Sequence, residues 1–153
     1  MKKIKVLLLT FALILLAGCG KSLTNKATGD TMKISLDVDT SSNYVWSYSI
    51  MDSNVIDLKS EEFLTPADDE TLDGDAQVLT FKAFNEGESE IILSYMNNDS
   101  GKTKYDITYV ITVDANKNIK VKEKSGKYSK KLPNPVIYLS LIHISEPTRP
   151  EPI

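Results

Sequence analysis

Short apolar runs alternate with polar residues, turn chemistry separates them, and no ten-residue stretch carries helical periodicity. These observations predict an all-β chain. About seven short strands over roughly 85 residues predict an antiparallel β-sandwich with Ig-like proportions. A span of that size supports one hydrophobic core, and Trp46, the only tryptophan, is its expected centre.

The first strand is read from Met32, Ile34, Leu36 and Val38, which alternate with Lys33, Ser35 and Asp37. Asp39-Thr40-Ser41-Ser42-Asn43 is turn chemistry, with Asn43 suited to a left-handed backbone. Tyr44 to Ile50 then sets Tyr44, Trp46, Tyr48 and Ile50 on one face. Val55 to Leu58 is a short apolar piece, and Phe63-Leu64-Thr65-Pro66 leads into an acidic loop from Ala67 to Asp75. In Gln77 to Phe84, Val78, Thr80 and Lys82 alternate with Leu79, Phe81 and Ala83. Asn85-Glu86-Gly87-Glu88 turns the chain into Ser89 to Met96, which carries Ile91, Leu93 and Tyr95. A second strong turn, Asn97-Asn98-Asp99-Ser100-Gly101, precedes Lys104 to Val113 with Tyr105, Ile107, Tyr109 and Ile111. Most of the strand tyrosines are expected as core or cross-strand partners, not as a sugar-binding platform.

Ahead of the sandwich, residues 1–18 read as a secretory signal. A basic lead, Met1-Lys2-Lys3-Ile4-Lys5, precedes an apolar run from Val6 to Ala17 broken only by Thr10. That run is well short of the ~20 residues that span a bilayer. The closing Leu16-Ala17-Gly18-Cys19 resembles the lipobox of bacterial lipoproteins. The resemblance implies a lipid on Cys19 as the first mature residue, and a place in the cell envelope, membrane-held and facing out of the cytoplasm. Residues 19–31 then form the lipidated cysteine and a polar tether. The sandwich is expected over 32–119 and a Lys-rich tail over 120–138. Leu139 to Arg149 resembles an in-frame translation of a sequencing-library transposase adapter. Residues 139–153 hold the only His (His143), the only Arg (Arg149) and three of the six prolines. They are read as non-native, with the natural sequence beyond Tyr138 lost.

Cys19 is the only cysteine, so no intramolecular disulfide forms and the domain relies on core burial. Without the signal, the chain carries 15 basic and 21 acidic residues, a net −6. From Asp30 to Asp114 there are 5 Lys against 18 Asp and Glu, a net −13; from Ala115 to Tyr138 there are 7 Lys against Glu123, a net +6. The acidic body excludes nucleic acid as a partner. The Lys-rich strip is read first as a solvated tail, and second as a contact for anionic lipid or wall polymer.

Enzymatic chemistry finds no residues to carry it. With His143 set aside and Cys19 lipidated, neither a Ser-His nor a Cys-His pair forms. Glu61-Glu62 and Asp68-Asp69-Glu70 read as solvated acids. Asp69-x-Thr71-x-Asp73-Gly74 has the start of a calcium loop, but its twelfth position is Thr80, not Glu. Weak surface Ca²⁺ contact by Asp68, Asp69, Asp73 and Asp75 is the minor alternative. Neither a metal site nor a cofactor is expected.

The order of the segments is distinctive: Asn43-Tyr44-Val45-Trp46 after a strand, Phe63 with Pro66 before a Gly-containing loop, then Phe81-Lys82-Ala83. Gly87-Glu88-Ser89-Glu90-Ile91-Ile92-Leu93-Ser94-Tyr95-Met96 and a closing alternating strand complete it. Over about Met32 to Ile119 this resembles the chagasin-like family of cysteine-protease inhibitors. The resemblance implies a monomeric Ig-like sandwich whose three loops at one end form a wedge that enters the cleft of papain-like proteases.

The family's first loop reads Asn-Pro-Thr-Thr-Gly before Tyr-x-Trp; here it is Asp39-Thr40-Ser41-Ser42-Asn43. Ser41 and Ser42 keep the hydroxyls, Asn43 stands in for glycine, and the proline is gone. That loss is expected to free the loop, at about 1 kcal/mol per residue to order on binding. The second loop's Gly-Gly is Gly74-Asp75. The third loop's Arg-Pro-Trp-Glu is Asn97-Asn98-Asp99-Ser100, without the Trp and Arg that commonly anchor interfaces. Two functions follow as expectations. One is a lipid-anchored inhibitor of papain-like cysteine proteases acting through Asp39, Thr40, Ser41, Ser42, Asn43, Gly74, Asp75, Asn97, Asn98 and Asp99. The other is a non-inhibitory Ig-like surface binding or adhesion module on the same scaffold.

Overall fold

Each alternating segment zips to a neighbour through its backbone and turns its apolar residues one way, and two sheets result. The computed structural model describes residues 28–140. Its strands are β1 (Thr31–Asp37), β2 (Tyr44–Ile50), β3 (Ile56–Leu64), β4 (Ala76–Ala83), β5 (Gly87–Asn97), β6 (Thr103–Val113), β7 (Ile119–Lys127) and β8 (Val136–Tyr138). One antiparallel sheet has the order β3-β4-β1-β8 and the other β2-β5-β6-β7. The all-β sandwich expected from the sequence is the fold found, with eight strands in place of about seven. No helix occurs among the described residues. The signal segment, Cys19, the tether up to residue 27 and residues 141–153 lie outside them.

Register explains the core. Met32 and Ile34 lie opposite Phe81 and Leu79 across β1 and β4, while Ile91 and Leu93 lie opposite Tyr109 and Ile107 across β5 and β6. All eight side chains are buried between the sheets. Trp46 is 3% exposed, its ring 5.0 Å from that of Tyr95. In Ig lettering, β3-β4-β1 take the D-E-B places and β2-β5-β6 the C-F-G places; β8 fills the position beside β1 that strand A holds in an Ig sheet.

The segment 120–138 is not the solvated tail expected of it. Ile119 and Val121 pair with Val113 and Ile111 and turn toward the core, leaving Lys120 and Lys122 exposed. The chain then crosses from one sheet to the other. On the way Leu132 packs on the core and the Pro133 carbonyl accepts a hydrogen bond from the buried Tyr109 hydroxyl at 2.8 Å. It ends as β8, with Ile137 opposite Met32. The sandwich therefore runs through Tyr138, well past residue 119. Leu139 and Ser140, assigned by sequence to the non-native tail, follow directly; Ser140 is buried and its N–H donates to Asp30 Oδ1 at 2.9 Å.

Two other boundaries move. The apolar piece ending at Leu58 continues as β3 to Leu64 through a register shift between Leu58 and Ser60. At the amino end the chain is already fixed before Met32: Gly29 O accepts from Ile119 N–H and Asp30 O from Ala83 N–H, both at 2.8 Å.

Candidate functional site

Antiparallel order brings three connections to one end of the sandwich. β1 finishes where β4 starts (Asp37 opposite Ala76), β3 finishes at the same level (Leu64 opposite Ala76), and β2 starts where β5 finishes (Tyr44 opposite Asn97). The first loop (38–43), the second (65–75) and the third (98–102) therefore stand side by side.

Hydrogen bonds join them. Val38 N–H donates to Asp75 O at 3.1 Å, and the Thr40 hydroxyl donates to the Asp75 carboxylate. On the other flank, Asn98 N–H donates to Asn43 O at 2.9 Å and the Asn43 side-chain amide donates to the Asp99 carboxylate. Of the residues singled out by sequence, the loop Asp39–Asn43 thus lies in the middle, tied to Asp75 on one side and to Asn98 and Asp99 on the other. Gly74 is at the exposed tip of the second loop, with open space where a Cβ would project.

The first loop carries its own scaffold. Asp39 Oδ1 accepts from the N–H of Ser41 at 3.0 Å and from its hydroxyl at 2.5 Å. Asp39 O accepts from Ser42 N–H at 3.0 Å and from Ser42 Oγ at 2.8 Å. This Asx turn does locally what proline does by ring closure, so the loop is not left unsupported as its missing proline predicts. The two Ser41 bonds, the hydroxyl's first, hold the Asp39 carboxyl below its ordinary range, with the Lys104 charge assisting. Asn43 is not in the left-handed region expected of it; Lys117 is the described non-glycine residue with positive φ (65°). The Asn43 side chain acts instead as the bridge to Asp99.

The third loop is organised by one residue. Asn97 Oδ1 accepts from Asp99 N–H at 3.0 Å, Ser100 N–H at 2.9 Å and Ser100 Oγ at 3.1 Å, and Gly101 (φ 69°) closes the turn. In the second loop, Asp68 Oδ2 accepts from the Thr65 N–H and hydroxyl, and Asp69 Oδ1 from those of Thr71. Those bonds lower both carboxyls and turn them inward on their own loop. Among the described residues, no three of His, Cys, Asp and Glu stand close enough to hold a metal ion.

Beneath the loops lies an aromatic support that the sequence disclosed only in part. Trp46 Nε1 donates to Asp37 O at 2.9 Å, and Asp39 N–H donates to the Tyr95 hydroxyl at 3.2 Å. Tyr95 stacks on Tyr105 at 6.0 Å, and Lys104 Nζ sits over the rings of Tyr44 and Tyr105 at 5.8 and 5.4 Å. Tyr48 departs from the core role; it is 43% exposed at the edge of its sheet. Two contributors escaped the sequence reading, Gln77 and Tyr128: a glutamine inside a strand pattern carries no signal, and Tyr128 fell in the segment read as a tail. A recess of about 240 Å³ opens beside Asp39, Lys104 and Tyr128. A larger cleft of about 500 Å³ lies elsewhere, along Ile119–Lys124 and Asn134–Ile137.

Chemically, this end presents hydroxyls, amides and carboxylates on loops held in place, and the described residues contain neither His nor Cys.

The chagasin family peptidase inhibitor I42 profile matches residues 25–113, more than half of the chain. Among solved structures, the chain is similar to the crystal structure of the cysteine protease inhibitor EhICP2 from Entamoeba histolytica. The likeness is 19% identity over 56% of this chain and 79% of that one, with a TM-score of 0.46. No curated protein matches the chain. On the profile match, the chain belongs to the chagasin family of peptidase inhibitors.

Proposed function

We propose that this chain inhibits papain-like cysteine proteases by inserting its three joined loops into the protease cleft. Asp39–Asn43 is the central loop, with Gly74–Asp75 and Asn97–Asp99 flanking it. The observation that carries the reading is the pair of ties from the first loop to its neighbours, Thr40 to Asp75 and Asn43 to Asp99. An inhibitor of this kind needs no catalytic group. It needs loops already ordered, so that association does not lose free energy to ordering them, and small side chains such as Ser41 and Ser42 to sit over the protease thiolate. The absent Trp and Arg anchors make that pre-organisation the main source of affinity here.

A lipid on Cys19 suits this arrangement. The described chain starts at Thr28 beside Gly29, which bonds Ile119, at the end of the sandwich opposite the loops. A membrane anchor ahead of residue 28 leaves the loops directed away from the bilayer, as an envelope protein acting as a monomer on an external protease requires.

Titration of the purified chain from Gly20 onward against papain and a cathepsin tests the reading. Sub-micromolar inhibition is expected, weakened by ~30-fold or more when Ser41 and Ser42 are both replaced by Trp. No inhibition at high micromolar concentration overturns it. Metabolic labelling with a radioactive fatty acid, lost in Cys19→Ser, tests the anchor separately.

A further inference from the structure

The part of the chain beyond the family match comes back to the first loop. β7 ends at Lys127, opposite Asp106 on β6. The next residue, Tyr128, sets its ring 5.7 Å from the Trp46 ring and 5.7 Å from the Tyr105 ring. Its hydroxyl accepts a hydrogen bond from Asp37 N–H at 3.4 Å, and Lys130 Nζ pairs with Asp37 Oδ2 at 2.6 Å. Trp46 Nε1 holds the Asp37 carbonyl. Asp37, the last residue of β1, is thereby held at its N–H, its C=O and its carboxylate. Two of those three holds come from residues outside the matched 25–113. Asp39, whose carboxylate organises the loop, is only two residues further on.

We propose that Tyr128 and Lys130 are positioning residues for the first loop: the C-terminal segment fixes the loop's foot and so keeps Asp39–Asn43 in its ordered form. The bearing on inhibition rests on the function proposed above; the ordering of the loop does not. Of the two, the Tyr128 ring carries the larger share. The Lys130–Asp37 pair has side chains 66% and 61% exposed, and pairs in water contribute little. A tilted contact with Trp46 and an edge-to-face contact with Tyr105, in a half-buried setting, contribute more.

Amide hydrogen exchange on the mature chain tests this without any protease. The Asp39 and Ser42 amides report the loop; those of Leu93 and Ile107, in central strands, report the sandwich. Tyr128→Ala is expected to accelerate exchange at Asp39 and Ser42 by about two- to tenfold, with Leu93 and Ile107 unchanged. Tyr128→Phe, which keeps the ring, is expected to stay within about twofold of wild type. No acceleration at Asp39 and Ser42, or equal acceleration at Leu93 and Ile107, overturns the proposal. Should Tyr128→Ala not fold, the double variant Tyr128→Leu/Lys130→Ala, which keeps apolar bulk but loses the ring, the hydroxyl and the ion pair, decides. Exchange more than about twofold faster and confined to the loop supports the proposal, and exchange within about twofold of wild type overturns it. A wild-type chain that leaves papain untouched sinks the inhibitor reading and leaves the exchange result standing.

Discussion

The side-chain amide of Gln77 closes on the backbone of Trp46. Its Oε1 accepts from Trp46 N–H at 2.9 Å, and its Nε2 donates to Trp46 O at 2.8 Å. β2 is an edge strand, so these two Trp46 groups point where no further strand pairs with them. Gln77, fully buried on β4 of the other sheet, takes that place, and its Nε2 also donates to Glu61 Oε1 at 2.5 Å. One side chain thus clamps the two sheets directly below the candidate site.

Gln77→Leu keeps the volume and removes every one of those bonds. The Trp46 N–H and C=O are then buried without partners, and a loss of ~2–4 kcal/mol is expected. Urea denaturation of both chains measures it. A loss below ~0.5 kcal/mol contradicts the clamp.

What the sequence made legible follows from how each strand is buried. β1, β5 and β6 have one face in the core and one toward solvent, so their alternation is clean and their places were readable. β7 is an edge strand whose exposed positions include Lys120, Lys122 and Lys127; charge at a sheet edge discourages aggregation, and in sequence it looks like a solvated tail. β3 lost its pattern at the register shift beside Lys59. In the site, Asp39 and Asn97 advertise turns because their side chains bond their own backbones. The ties between loops, Thr40 to Asp75 and Asn43 to Asp99, span 35 and 56 residues and have no local signature.

Glycine separates two positions that sequence alone treats alike. A Cβ on Gly29 meets the Tyr138 carbonyl carbon at 2.0 Å and its oxygen at 2.1 Å, backbone atoms that cannot turn aside. Gly29→Ala is therefore expected to lever β8 off β1, costing ~2–3 kcal/mol and exposing the amides around Val136 to exchange. Gly74→Ala meets nothing within 4 Å and is expected to be neutral or to stabilise by up to ~1 kcal/mol, through the unfolded chain. Equal melting temperatures for the two variants contradict both assignments.

Alkaline pH probes the crossing segment. Burial first, and then the nearby Tyr128, push the Tyr109 hydroxyl up to about 12. The folded state therefore binds this proton more tightly than the unfolded state, whose tyrosine titrates near 10. Stability is intact below pH ~10 and falls as pH rises from there toward 12. Tyr109→Phe removes the titrating group together with its bond to Pro133, so it starts ~1 kcal/mol lower at neutral pH and loses most of the alkaline slope. Tyr128, also raised by burial, supplies part of the slope that is left. Denaturation curves at about pH 9 and pH 11.5 for both chains decide it, and parallel losses contradict it.

Acid probes the first loop with the opposite sign. The Asp39 carboxyl is lowered by the Ser41 hydroxyl and N–H, so the folded loop binds that proton less tightly than the unfolded chain does. The turn's stabilisation is present above the unfolded value near 4 and lost as pH falls through the lowered one. The Ser41 amide resonance is expected to titrate with a midpoint below the ordinary aspartate range. Asp39→Asn keeps an acceptor oxygen but cannot titrate, so its Ser41 amide stays protected and flat with pH. Asp39→Ala loses the acceptor and leaves that amide unprotected at every pH. A wild-type midpoint at or above the ordinary range, or an Asp39→Asn chain as unprotected as Asp39→Ala, means that the carboxylate does not organise the loop. Ser41 and Ser42 would then owe their placement to the Ser42 bonds to the Asp39 carbonyl and to the ties at Asp75 and Asp99.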